Sequence, residues 1–110
     1  MKFRVIITRS AEADADEIYD WIRERSPAGA GKWWRAFLQA IDLLRKNADS
    51  FGQAAEARAG IERLHELMFK TRHGRTYRIV FNIRGDTVYA LRVRTTGQSL
   101  LTPDEIDFPE

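Results

Sequence analysis

Three consecutive segments between Leu64 and Thr95 alternate their side chains with a period of two, and this most constrains what the chain can fold into. Strand side chains point alternately to opposite faces of a sheet. In 64–72 one parity reads Leu67 and Phe69, the other Met68, Lys70 and Arg72. In 76–84 the sets are Tyr77, Ile79, Phe81, Ile83 and Arg78, Val80, Asn82, Arg84. In 87–95 they are Tyr89, Leu91, Val93 and Val88, Ala90, Arg92, Arg94. Burying the first set of each segment predicts that Lys70, Arg72, Arg78, Arg92 and Arg94 share one open face. Arg75, in the turn between the first two strands, joins them. Such a face suits a polyanion or an acidic partner.

The rest of the chain reads as one domain over 1–110, closed by an acidic tail from about residue 99. A hydrophobic content of 44% and 11% aromatics argue against disorder. With no cysteine, disulfides, thiolate metal sites and cysteine nucleophiles are excluded. No apolar run approaches the ~18 residues of a spanning helix, so no membrane role and a cytoplasmic location are expected. The net charge of +2 hides an asymmetry: 10–26 carry a net −4, 61–98 a net +5, and 99–110 four acids and no base. Segregated charge of this kind bears on partners.

The first strand is predicted over Phe3–Thr8. Ser10 is the expected N-cap of a first helix, whose stripe is Ala11, Ala15, Ile18 and Ile22. Ser26-Pro27 ends it, and Ala28-Gly29-Ala30-Gly31 reads as a break. A second helix from about Lys32 to about Asn47 is apolar over more than half its circumference, which predicts packing on two sides. Residues 48–62 form a loop with a helical turn around Ala54–Arg58. His73-Gly74-Arg75 and Gly85-Asp86 break the strands, with glycine supplying positive φ. Thr102 caps a short turn with Pro103 at its first position. The order is β-α-α-β-β-β, an α+β arrangement with a helical hairpin on one face of a mostly antiparallel, twisted sheet.

This order, with Asp16-Glu17-Ile18-Tyr19-Asp20-Trp21-Ile22, Leu67-Met68-Phe69-Lys70-Thr71-Arg72, Tyr77-Arg78-Ile79-Val80-Phe81 and the strand after Gly85-Asp86, resembles the RelE/ParE superfamily of toxins from bacterial type II toxin–antitoxin pairs, which includes plasmid stabilisation proteins. The resemblance spans most of 3–103. It implies a toxin held inactive by a cognate antitoxin. Some relatives cut messenger RNA on the ribosome without a metal; the ParE-like branch poisons DNA gyrase. The fold does not choose between them. Many relatives carry a His-Gly-x-Arg-like or basic segment after the last strand, and ribonuclease members often place a Tyr or further basic groups in the tail. This chain has Thr95-Thr96-Gly97-Gln98-Ser99 and a tail ending Asp104-Glu105-Ile106-Asp107-Phe108-Pro109-Glu110.

Metal-free RNA cleavage needs a base for the 2′-hydroxyl, an acid for the leaving oxygen and positive charge on the transition state. Arg78, Arg72, Arg94 and Lys70 are the catalytic candidates, the arginines as charge stabilisers and Lys70 also as acid or base. His73 and His65 are the available imidazoles. Lys70, Arg72, Arg75, Arg78, Arg92 and Arg94 are the candidates for contacting nucleic acid or a partner. Arg92 and Arg94 have a competing use, pairing with acids of the tail. No metal and no other cofactor is called for: Asp14, Asp16 and Glu17 read as an exposed acidic helix face. Three functions stay open: gyrase poison or growth inhibitor, ribosome-dependent endoribonuclease, and a non-toxic nucleic-acid-binding or interaction domain.

Overall fold

The computed structural model describes residues 2–61 and 63–109. Strand β1 (Arg4–Ile7) leads into α1 (Arg9–Arg25) and α2 (Pro27–Asn47). A 3-10 turn at Ala48–Ser50 and the short helix α3 (Ala55–Arg58) precede β2 (His65–Phe69), β3 (Tyr77–Arg84) and β4 (Thr87–Thr95). The four strands form a mixed sheet in the order β1-β4-β3-β2. β1 runs parallel to β4 and the other neighbours are antiparallel. Among the described residues, no helix is long and apolar enough to cross a membrane.

Thr8, not Ser10, caps α1. Its hydroxyl accepts from the Ala11 amide at 3.3 Å and donates to the Ala90 carbonyl at 2.9 Å. One side chain thus starts the helix and ties it to β4. Ala11 and Ala15 are fully buried, and residues this small let α1 sit close to the sheet.

The expected break at 28–31 is helical. Ser26 closes α1 through its amide to the Ile22 carbonyl, and its hydroxyl accepts from the Gly29 amide at 3.0 Å to open α2. Pro27, which has no N–H and a fixed φ, fits the first helical position. A Cβ on Gly29 would lie 2.9 Å from the Ser26 hydroxyl oxygen, so glycine is what allows the cap.

α2 packs on two sides, as its apolar circumference predicts. Trp33, Phe37, Ile41 and Leu44 enter the core, with Trp33 stacked on Phe37 at 5.5 Å and edge-on to Tyr77. Trp34 meets Tyr19 of α1 edge-on at 5.7 Å. Leu38 and Leu43 remain exposed.

The alternation in β4 breaks in its middle. Val80 lies opposite Arg92 but Phe81 lies opposite Ala90, so Leu91 is an extra residue. A bulge of this kind shifts side-chain parity. Val88 and Ala90 therefore face the helices together with Val93, whereas Tyr89 and Leu91 belong to the other face. This corrects the expected grouping of Tyr89, Leu91 and Val93. At the next turn Gly85 has a φ of 60°. Gly74 is not among the positive-φ glycines, so the 70–76 connection does not use glycine in that way.

The second face of the sheet is covered. Ala54, Leu64, Val80, Leu91, Leu101 and Ile106 form a second apolar cluster there, built from the α3 segment, the strands and the C-terminal tail. Thr102 and Glu105 cap each other around the 3-10 turn Pro103–Glu105, which holds the tail in place.

Candidate functional site

The expected open basic face does not exist as such, because three of its arginines are used internally. Arg78 on β3 is 4% exposed. Its two terminal nitrogens lie 2.7 and 2.5 Å from the two carboxylate oxygens of Glu56, and Glu66 of β2 adds a contact at 3.3 Å. Glu56, on α3, is fully buried and also accepts from the Leu101 amide at 2.9 Å. Burial pushes its carboxyl up, but the hydrogen bonds from Arg78 and Leu101 prevail and hold it at about 2. The cluster joins β3, α3 and the tail at one point, and burial with its charge already paired leaves Arg78 almost no surface to offer a phosphate.

Arg92 is held by Asp14 of α1 in a two-pronged pair at 2.7 and 2.9 Å, and it donates to the Glu105 carbonyl at 2.9 Å. The same carboxylate accepts from the Val93 amide at 2.9 Å. β1 ends opposite Ala90, so the outer edge of β4 beyond it lacks a strand, and Asp14 supplies the acceptor a strand would have given. The acid expected on an exposed helix face is therefore a part-buried anchor. Hydrogen bonding to Asp14 pushes the Arg92 guanidinium up, against its own burial. Arg94 donates to the Ser99 carbonyl at 2.8 Å and lies 3.8 Å from Glu105. Arg94 thus approaches an acid of the tail, the competing use its sequence allowed, whereas the acid that pairs with Arg92 is Asp14 of α1 and the tail offers it only a backbone carbonyl.

Lys70 and Arg72 are separated from these three because β2 ends at Phe69, short of the expected Arg72. Lys70, Arg72 and Arg75 sit exposed on the β2–β3 connection, with no carboxylate partner among the described residues. His73 lies exposed in that connection, whereas His65 packs flat against Phe81 at 5.5 Å. The structure brings Arg72, His73 and Arg75 to a cavity of about 560 Å³ between the α1–α2 junction and the β2–β3 connection.

Beside this region the outer edge of β2 is half covered. Gly52 accepts from the Glu66 amide at 3.1 Å, and the Ala54 amide donates to Leu64 at 2.9 Å. Beyond Glu66, at Met68 and Lys70, no backbone partner is present among the described residues, and Met68 is 56% exposed. Unpaired edges accept added strands.

Sequence reasoning missed Glu56. It stands among alanines in Ala54-Ala55-Glu56-Ala57, which suggests an apolar setting but names no partner.

A family profile described as "ParE toxin of type II toxin-antitoxin system, parDE" matches residues 5–100. A solved structure titled "Chromosomal ParDE TA system from P. aeruginosa" superposes with a TM-score of 0.68 at 20% identity, covering 86% of this chain and 96% of that one. At that identity the likeness establishes a shared fold. Among curated proteins no significant match is found. With the profile spanning nearly all of the sheet and both long helices, the chain belongs to the ParE toxin family of type II toxin–antitoxin systems.

Proposed function

We propose that this chain, acting as one domain over 1–110 in the cytoplasm, is a toxin neutralised by a cognate antitoxin and that it poisons DNA gyrase without catalysis of its own. One observation carries the choice of gyrase over messenger RNA. Metal-free RNA cleavage requires free positive charge and a proton shuttle around one phosphate. Here the charges of Arg78 and Arg92 are paired with Glu56, Glu66 and Asp14, and Arg94 is engaged by the tail. Of the four catalytic candidates only Arg72 lies at a cavity with an imidazole, His73, so the centre expected from Arg78, Arg94 and Lys70 beside it is not assembled.

The antitoxin is read as an acidic, extended segment that adds to the open edge of β2 at Met68–Lys70. Its main chain pairs with the strand, its apolar side chains cover Met68, and its acids meet Lys70, Arg72 and Arg75. Arg78, Arg92 and Arg94 serve as scaffold in this reading.

Induction of the chain with and without the antitoxin tests both halves. Gyrase poisoning predicts growth arrest, a DNA-damage response, intact messages and stabilised gyrase–DNA cleavage complexes in vitro, all relieved by the antitoxin. Codon-linked breaks in messenger RNA with unchanged gyrase supercoiling would replace this reading with the ribonuclease one. Normal growth with salt-dependent nucleic-acid binding would favour a non-toxic binding domain.

A further inference from the structure

The cavity beside Arg72 has the composition of a site for a flat, anionic ligand. It is bounded by three elements: the last turn of α1 with Trp21 and Ile22, the first turns of α2 with Ser26 to Trp33, and the connection with Arg72, His73 and Arg75. Its volume of about 560 Å³ falls in the range of small-molecule sites.

Its walls are aromatic. Trp33 and Tyr77 are buried behind it, whereas Trp21 is 44% exposed. The Trp33 indole N–H is buried without a hydrogen-bond partner. Arg25 lies over the Trp21 ring at 3.7 Å from its centroid and Arg75 at 5.4 Å. Arg25 thus covers one face of Trp21, and the exposed part of the ring beside Arg75 is what remains for a flat ligand.

The rim is basic throughout. Lys32, Arg72, His73 and Arg75 line it, and among the described residues no carboxylate does. Lys32, Arg72 and Arg75 make no ion pair among the described residues. Arg25 is the exception, 3.7 Å from Glu24. The first turn of α2, which opens here, contains no acid to offset the positive end of its dipole. An acid does lie on the far side of Trp21 and Arg75, where Glu17 lines a shallower hollow of about 340 Å³. Gathering several cations without a counter-charge is unfavourable unless an anion completes the set.

We propose that this cavity binds a nucleoside phosphate, with the base stacked on Trp21 and the phosphate held by Arg72, Arg75 and Lys32. Stacking accounts for the exposed aromatic ring, and two arginines and a lysine match the oxygens of a phosphate. The site shares Arg72 and Arg75 with the surface assigned to the antitoxin's acids, but it needs neither the β2 edge nor gyrase poisoning, and its test uses the toxin alone, so its failure is distinguishable from theirs. The nucleotide can be free or part of a single strand; the chemistry at the pocket is the same.

Calorimetric titration of the full chain with AMP and GMP tests it, with inorganic phosphate, adenosine and a six-nucleotide RNA as further probes. Saturable binding of at least one mononucleotide is expected, with phosphate and adenosine each at least about tenfold weaker. The Arg72→Ala/Arg75→Ala pair should weaken it about tenfold while leaving the thermal midpoint in place, since both side chains are exposed, and Trp21→Ala should weaken it about tenfold as well. A hexamer that binds more tightly than AMP, and is weakened by the same variants, identifies a strand as the source of the nucleotide and supports the site. Three outcomes overturn the proposal: no saturable binding of either nucleotide, affinity unmoved by the variants, or phosphate binding as tightly as AMP (an adventitious ion only).

Discussion

Glu56 shows how much of this fold rests on one side chain. A buried carboxylate is unfavourable alone, and Arg78 and the Leu101 amide make it tolerable, while Glu66 contacts Arg78 as a second acid. Removing one partner strands the other, so Glu56→Gln or Arg78→Ala should destabilise the protein by about 3–5 kcal/mol in urea titrations at pH 7. The pH dependence follows from the same group. Its folded value of about 2 lies below the ordinary 4.5, so the folded state binds the proton less readily than the unfolded chain. Its contribution, on the order of 3 kcal/mol, is complete above about pH 5 and is lost as the pH falls toward 2. Unfolding midpoints from pH 7 to pH 2 should fall more steeply in the parent than in Glu56→Gln, and equal slopes would remove Glu56 from this role. None of this was legible locally. The spacing of Arg78 announced a basic strand position, but its partner lies 22 residues away in a segment without periodicity.

Among the elements, the C-terminal tail is structural rather than an acidic appendage. Leu101 and Ile106 complete the second apolar cluster, and the tail satisfies Glu56, Arg92 and Arg94. Burial of two such aliphatic side chains stabilises by about 3–6 kcal/mol. Truncation after Gln98 should therefore lower stability by at least that amount and expose Leu64, Val80 and Leu91, read as dye binding to apolar surface. A truncated chain as stable as the full one would show that the tail only rests on the sheet. The helices and strands themselves were largely readable, because the helical stripe in α1 and the alternation in β3 are unbroken. The bulge at Leu91 was not. An inserted residue leaves no mark in a run as apolar as Val88-Tyr89-Ala90-Leu91, since either parity supplies core side chains. The start of α2 was misplaced for a related reason: two glycines imitate a break, while Ser26 and Pro27 supply a cap and a first turn that tolerate them.

For the molecule as a whole, internal pairing sorts the cations into two populations. Arg78, Arg92 and Arg94 hold the tail and α1 to the sheet, and Lys70, Arg72 and Arg75 on the β2–β3 connection are available to partners. Rim charges act mainly on association rate. Lys70→Ala/Arg72→Ala should therefore slow association with the antitoxin by about tenfold at low salt and flatten its salt dependence, with dissociation nearly unchanged. Stopped-flow mixing over a salt series reads this directly; an unaltered salt slope would move the antitoxin off this surface. The sequence by itself determined the element order, the helical hairpin over the sheet and the family, because these follow from periodicity and local motifs. It also singled out Arg72, Arg75, Arg78, Arg92 and Arg94 as candidates. Only the tertiary structure decided which of them are free. Charge along a chain is a local property, whereas its neutralisation depends on Asp14, Glu56 and the tail arriving from distant positions, and no periodicity encodes that convergence.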